Sequence, residues 1–287
     1  MARGDIMQKR IALLYDFDYT LTDGFMQQFG LMQDLGYQDV EGFFDACEKT
    51  FGDSDIDMCL SMMGGIFFMA KNRGRRVTRE YLNACGKNIV FYPGVEEWFD
   101  KINQIGAELG YEIEHYIISS GLTEVVEGSS ISSKFKRIYA NFFCYNQSGE
   151  AYWPCQVVNY TSKTQYIFRV RKNALDDLKS LTKINAKMED DEVLPFSNII
   201  YIGDSQTDIP SFKVVKNSGG LSVCVYAENG YYGKEVAEKC YREGRVNSFV
   251  PADYREGSEL YNLIKNYIIN VIRQSEEKQN RENVETN

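Results

Sequence analysis

The chain has 287 residues, 44% hydrophobic and 25% charged, the composition of a globular protein of one large or two smaller domains. Its 32 basic and 41 acidic residues leave a net charge of -9, which argues against a surface built to hold nucleic acid by its phosphates. No run reaches the ~18 apolar residues of a membrane span, since Ser61, Gly64 and Gly65 interrupt the longest apolar stretch.

Residues 1–10 carry no apolar signal core, and the seven cysteines are odd in number with no CxxC pair. Both features predict a cytoplasmic protein with free thiols. Residues 10–17 (RIALLYDF) read as a buried central strand ending in acids. Residues 39–51, 56–71 and 78–85 then read as helices, the second rich in Met and the third capped by Thr78. Lys71, Arg73, Arg75 and Arg76 read as a solvated basic loop, or alternatively as a site for a substrate's distal anionic group.

From residue 93 the pattern alternates. A helix runs to a stop at Gly110, a strand covers 111–120, and 137–145 with 150–158 form a hairpin. A helix spans 164–187, strands lie at 198–202 and 221–226 with a helix between them, and a closing helix covers 256–273. This order predicts an α/β fold, a three-layer doubly wound parallel sheet of Rossmann-like type with an inserted α-helical cap. The expected division is a core of 1–22 and 92–273, a cap of 23–91, and a polar, flexible tail of 274–287.

Ligands of such sheets bind beyond the carboxyl ends of the strands. There the first strand carries Asp16-Phe17-Asp18-Tyr19-Thr20, the second Ser119-Ser120-Gly121, and a later one Gly203-Asp204-Ser205-Gln206-Thr207-Asp208. Lys163 opens the helix before that last strand, with Lys172 and Lys179 further along it. Asp16, Asp18 and Asp204 offer the hard oxygens that suit Mg²⁺, and crowded carboxylates repel one another without a cation. An Asp can then attack phosphorus, while an ammonium and a hydroxyl hold the transferring oxygens. The second acid, two residues on, can protonate the leaving oxygen. Backbone N–H groups of Ser120 and Gly121, placed at a helix start, would add anion contacts. Gly203 fits a tight turn. His115 is the one histidine and reads as a core residue, which removes Ser-His-Asp and Cys-His schemes.

The motifs DFDYT at 16–20, Ser119 after HYII, Lys163, and GDSQTD at 203–208 resemble those of the haloacid dehalogenase superfamily of phosphohydrolases. The resemblance covers residues 10–22 and 93–226, and the inserted helical block is similar to the cap of the phosphoserine phosphatase and pyrimidine nucleotidase branch. It implies that Asp16 is nucleophile and metal ligand, Asp18 general acid/base and a ligand through its carbonyl, and Asp204 the third ligand to Mg²⁺. It further implies that Ser119 and Lys163 bind phosphate, that Asp208 orients the metal's waters or Lys163, and that Thr20 supports the first turn. An acid at 18 separates phosphate chemistry from dehalogenation, because a halide leaves without a proton. Phosphoserine phosphatases carry a Glu at the cap entry, where this sequence has Phe25. That departure argues against an amino-acid ammonium partner there and toward an aromatic or less charged substrate.

The expected activity is Mg²⁺-dependent hydrolysis of a small phosphorylated metabolite through an aspartyl-phosphate, without nucleic-acid or membrane partners. A phosphotransferase with the same intermediate is the alternative. A receiver-type signalling module and an inactive binding protein fit the motifs less well.

Overall fold

The computed structural model describes residues 9–52, 54–176, 182–227 and 233–285. Its sheet contains β1 (Arg10–Tyr15), β2 (Glu112–Leu122), β3 (Arg137–Tyr145), β4 (Ala151–Gln156), β5 (Ile199–Gly203), β6 (Leu221–Tyr226) and β7 (Ser248–Pro251), in the order β4-β3-β2-β1-β5-β6-β7. All neighbours are parallel except β3 and β4, the expected hairpin. The order reverses about β1, which pairs with β2 on one side and β5 on the other, so a crevice opens beyond Tyr15.

Side chains alternate across a strand, and β1 divides accordingly. Ile11, Leu13 and Tyr15 join one core, with Trp98 and Phe99 of α4 (Val95–Glu108) and Ile264 of α9 (Glu259–Glu285). Ala12 and Leu14 join the other. That second core holds Ile167 of α6 (Lys163–Arg171), Phe212 of α7 (Ile209–Asn217) and Cys240 of α8 (Lys234–Arg242). The result is the three-layer α/β arrangement anticipated from the sequence.

Between β1 and α4 lie α1 (Val40–Lys49), α2 (Met58–Asn72) and α3 (Arg79–Gly86). Asp39, Asp57 and Thr78 cap them by accepting from backbone N–H groups. The segment leaves and rejoins at one point. Thr22 bridges Phe91, Asp23 N donates to Val90 O at 3.0 Å, and Tyr92 N donates to Leu21 O at 3.0 Å. The short α5 (Thr123–Glu127) follows β2.

Three expectations change. The helix expected over 164–187 stops at Arg171, because Asn173 turns left-handed with φ 49°; a separate turn forms at Thr182–Asn185. Lys179 lies outside the described residues. The closing helix begins at Glu259 and runs to Glu285, so the polar segment after 273 is helical over its described part. Its Glu, Lys, Gln and Arg residues are good helix formers without an apolar stripe. Finally, α8 and β7 extend the alternation beyond the elements read from sequence. No helix among the described residues is long and apolar enough to cross a membrane.

Candidate active site

Asp16 follows β1 directly, its N–H donating to Ile202 O of β5 at 2.9 Å, so the first acid sits on the sheet's central seam. Tyr19 adopts φ 54°, and Leu21 N closes onto Phe17 O at 2.9 Å; the chain thus coils back over the strand end. In that coil Asp18 Oδ1 accepts from Met26 N at 2.8 Å. Asp204 follows β5, and Asp208 ends the short turn Gln206–Asp208 that leads into α7.

Asp16, Asp204 and Asp208 are buried together, with one oxygen from each within 4.8 Å of the others. Lys163, also fully buried, donates to Asp208 Oδ1 at 2.8 Å and lies 3.0 Å from Asp16 Oδ2. Both Asp208 oxygens are committed. Tyr201 Oη also donates to Oδ1 at 2.8 Å, while the N–H groups of Asp204 and Ser205 donate to Oδ2 at 3.2 and 3.4 Å. By contrast Asp16 Oδ1 and Asp204 Oδ2 are buried with no hydrogen-bond partner among the described residues. A buried carboxylate oxygen without a donor is costly, and a divalent cation would satisfy both. The residues present therefore fit a hard cation such as Mg²⁺, held by Asp16 and Asp204 and braced by Asp208.

The electrostatics agree. Burial, partly opposed by the Lys163 ammonium and reinforced by Asp208, pushes Asp16 up to about 6. Burial, then the charges of Asp208 and Asp16, pushes Asp204 well above the usual carboxylate range. Enclosure and the Asp16 charge do the same to Asp18. Burial lowers Lys163, but Asp16 and Asp208 more than offset it and keep the ammonium charged. Three carboxylates around one ammonium leave an excess of negative charge.

Asp16, Asp18, Asp204, Ser119, Ser120 and Gly121 all face one cavity of about 470 Å³. Lys163 meets Asp16 from behind. The motifs picked out in the sequence therefore converge, and Thr20 joins them by donating to Asp204 Oδ1 at 3.4 Å.

The geometry differs from expectation in two places. Ser120 and Gly121 lie inside β2 at an irregularity between Ile118 and Leu122, rather than at a helix start. Gly121 N–H donates to Ser119 Oγ at 3.0 Å, whereas Ser120 Oγ is buried with no partner among the described residues. Gly203 has no left-handed φ; a Cβ there would stand 2.5 Å from Asp208 Oδ2, so space rather than turn geometry selects glycine. Of the other lysines, Lys172 donates to Ile184 O and Ala186 O, away from the acids. The basic run is tied to its own partners, with Arg75 paired to Asp34 and Arg76 to Glu150.

Several supporting residues carry no sequence motif. Tyr201 reaches Asp208, and Tyr254 Oη donates to Thr20 O at 2.7 Å. Asn141 donates to Ser120 O at 2.6 Å and accepts from Val158 N at 2.5 Å, fixing the β2 irregularity from β3.

No protein-family model matches the chain. An uncharacterized protein of Borreliella burgdorferi is 27% identical over 278 residues, spanning 88% of this chain and 95% of that protein. Among solved structures, a HAD (haloacid dehalogenase) family hydrolase of Salmonella enterica serovar Typhi is similar with a TM-score of 0.55 at 15% identity, over 85% of this chain and 68% of that one. A substrate-bound phosphoserine phosphatase gives 0.55 at 13% identity, over 90% and 99%. A phospho-aspartyl intermediate analogue of phosphoserine phosphatase gives 0.53 at 14%, over 90% and 99%. The structural neighbours are HAD-family hydrolases, mostly phosphoserine phosphatases, and this chain shares their fold.

Proposed function

We propose that the protein is a Mg²⁺-dependent phosphatase that hydrolyses a small phosphate monoester through an aspartyl-phosphate on Asp16. The observation that carries this reading is the pair of buried, unpartnered oxygens on Asp16 and Asp204, with Lys163 clamped between Asp16 and Asp208. Bound there, the cation would neutralise the acids and the phosphate and polarise the P–O bonds.

The chain's own groups supply the rest. A carboxylate oxygen of Asp16 attacks phosphorus as the bond to the leaving oxygen breaks, and Asp18 gives that oxygen its proton. Asp18 is suited to this because enclosure beside Asp16 favours its protonated form. Asp18 then takes a proton from water as the water oxygen attacks phosphorus, which frees Asp16 and releases phosphate. Lys163 and Ser119 hold the phosphoryl oxygens, and Asp208 holds Lys163 in place. Residues 23–91, inserted between β1 and α4 and also pinned to β4 where Ala151 N donates to Val77 O at 2.8 Å, act as a cap that closes the cavity against water. The odd number of cysteines, with no CxxC pair, supports a reducing, cytoplasmic setting.

Asp16→Asn should abolish hydrolysis of p-nitrophenyl phosphate. A variant rate within about tenfold of the wild type, roughly 1.4 kcal/mol in the barrier, would rule out the nucleophile.

A further inference from the structure

The cavity's floor is the acid cluster, but its outer wall has another character. Tyr19, Phe25 and Phe44 line it together with Met58 and Met62. The Tyr19 and Phe25 ring centroids are 4.9 Å apart at 87°, and those of Phe25 and Phe44 are 5.3 Å apart at 72°. The wall is therefore rich in π-systems, whose negative faces attract a cation that comes over them. Two carboxylates of α1, Glu41 and Asp45, line the same wall one helical turn apart. Lys49 approaches Asp45 only at 3.9 Å, with both side chains largely exposed, a loose pairing that a ligand can displace.

Gln27 adds an independent observation. Gln27 lines the cavity and is only 2% exposed. The Nε2 group donates to Met62 Sδ at 2.9 Å, yet Oε1 is buried with no donor among the described residues. An acceptor left so in a cavity wall calls for an N–H or O–H from a ligand. Among the described residues that line the cavity, none is Lys, Arg or His.

We infer that the substrate is the phosphate monoester of an amino alcohol, whose ammonium group is received by the aromatic wall, Glu41, Asp45 and Gln27 Oε1. This rests on the phosphatase reading and narrows its substrate class. It also separates this chain from an enzyme for a phosphorylated amino acid. A substrate carboxylate would meet like charges on the outer wall and no lining cation. The negative charge absent at Phe25 is supplied instead from α1.

A series of three ligands isolates the effect. Propyl phosphate is neutral beyond the phosphate, phosphoethanolamine replaces its methyl by an ammonium, and O-phosphoserine adds a carboxylate to phosphoethanolamine. Binding is measured by calorimetry near neutral pH with Mg²⁺, on the Asp18→Asn protein, which keeps the Asp16 and Asp204 carboxylates for the cation but lacks the proton donor to the leaving oxygen, so that nothing turns over. Phosphoethanolamine should bind about tenfold or more tighter than propyl phosphate, as expected for a partly desolvated cation against rings and carboxylates, and also tighter than O-phosphoserine. The double substitution Glu41→Gln with Asp45→Asn, at exposed positions that do not threaten folding, should shrink the first ratio to within about twofold. Propyl phosphate binding as well as phosphoethanolamine, O-phosphoserine binding best, or a ratio unchanged in the double variant would each overturn the inference. Hydrolysis of p-nitrophenyl phosphate by the wild type decides the parent reading separately, since it needs no ammonium.

Discussion

The hydroxyl of Tyr15 and Nδ1 of His115 lie 2.9 Å apart inside the sheet's first core. Trp98 Nε1 donates to the same hydroxyl at 2.9 Å, and His115 Nε2 lies 2.9 Å from Asn103 Oδ1. The chain of bonds closes when Tyr15 donates to Nδ1 and the neutral ring donates from Nε2, a tautomer assigned from the network. Burial lowers the His115 pKa to about 3, from 6.5. Between those values the unfolded chain binds a proton that the native protein does not. Stability contributed by the neutral ring is therefore full above pH ~6.5 and is lost as pH falls toward ~3, at up to ~1.4 kcal/mol per unit. In urea titrations at pH 7 and pH 5, His115→Gln should be less stable at pH 7 but lose about 2 kcal/mol less on acidification. An identical pH dependence in both proteins would show that His115 does not set this slope.

Asp204 works in the opposite sense. Its native pKa is raised by burial, then by Asp208 and Asp16, so without metal its charged form destabilises the fold once pH rises through the raised value. Asp204→Asn keeps an oxygen for the Thr20 hydroxyl and removes the charge. The metal-free variant should melt at a higher temperature than the metal-free wild type at pH 8. Mg²⁺ should raise the wild-type midpoint, by about 2.7 kcal/mol of stability at a hundredfold excess over Kd, and leave the variant's midpoint nearly unmoved. Equal Mg²⁺ shifts in the two proteins would remove Asp204 from the metal site.

Lys163 is the counter-charge on which the fold depends at neutral pH. Replacing it with Met retains much of its volume but strips Asp16 and Asp208, both buried, of their ammonium. Removing one partner of a buried ion pair costs about 3–5 kcal/mol, and Lys163→Met should fall in that range by chemical denaturation. A loss below about 1 kcal/mol would mean that the acids find another way to shed their charge.

Much of this was legible in the sequence for a physical reason. Residues that must meet at one sheet edge are written immediately after apolar runs, so Asp16, Asp18, Ser119, Asp204 and Asp208 could be placed by finding where RIALLY, HYII and NIIYI stop. Lys163 could be placed as the opening residue of a helix. What pattern did not show was support arriving from far along the chain. Tyr201 is one more apolar residue of a buried strand until its hydroxyl is seen to reach Asp208, and Tyr254 meets Thr20 across 234 positions. The four-residue β7 ends in Pro251, and α8 is largely charged, so neither announces itself by composition. Gly203 was legible as a residue but not in its cause.

That cause can be tested directly. Gly203 ends β5, and a methyl group there would stand 2.5 Å from Asp208 Oδ2 and 2.6 Å from its Cγ. The Asp208 carboxylate has little room to retreat, since it is held by Lys163, Tyr201 and two backbone N–H groups. Gly203→Ala should therefore cost about 1–3 kcal/mol of stability through overpacking, with the sheet intact by circular dichroism. Its larger effect should fall on the site. Once Asp208 shifts, the ammonium of Lys163 loses its fixed position against Asp16, and a displacement of about 1 Å in a catalytic group can cost ~100-fold in rate. Hydrolysis of p-nitrophenyl phosphate by Gly203→Ala should drop by that order with KM changed far less than kcat. A stable variant with wild-type kcat would show that Asp208 does not position Lys163 for the reaction.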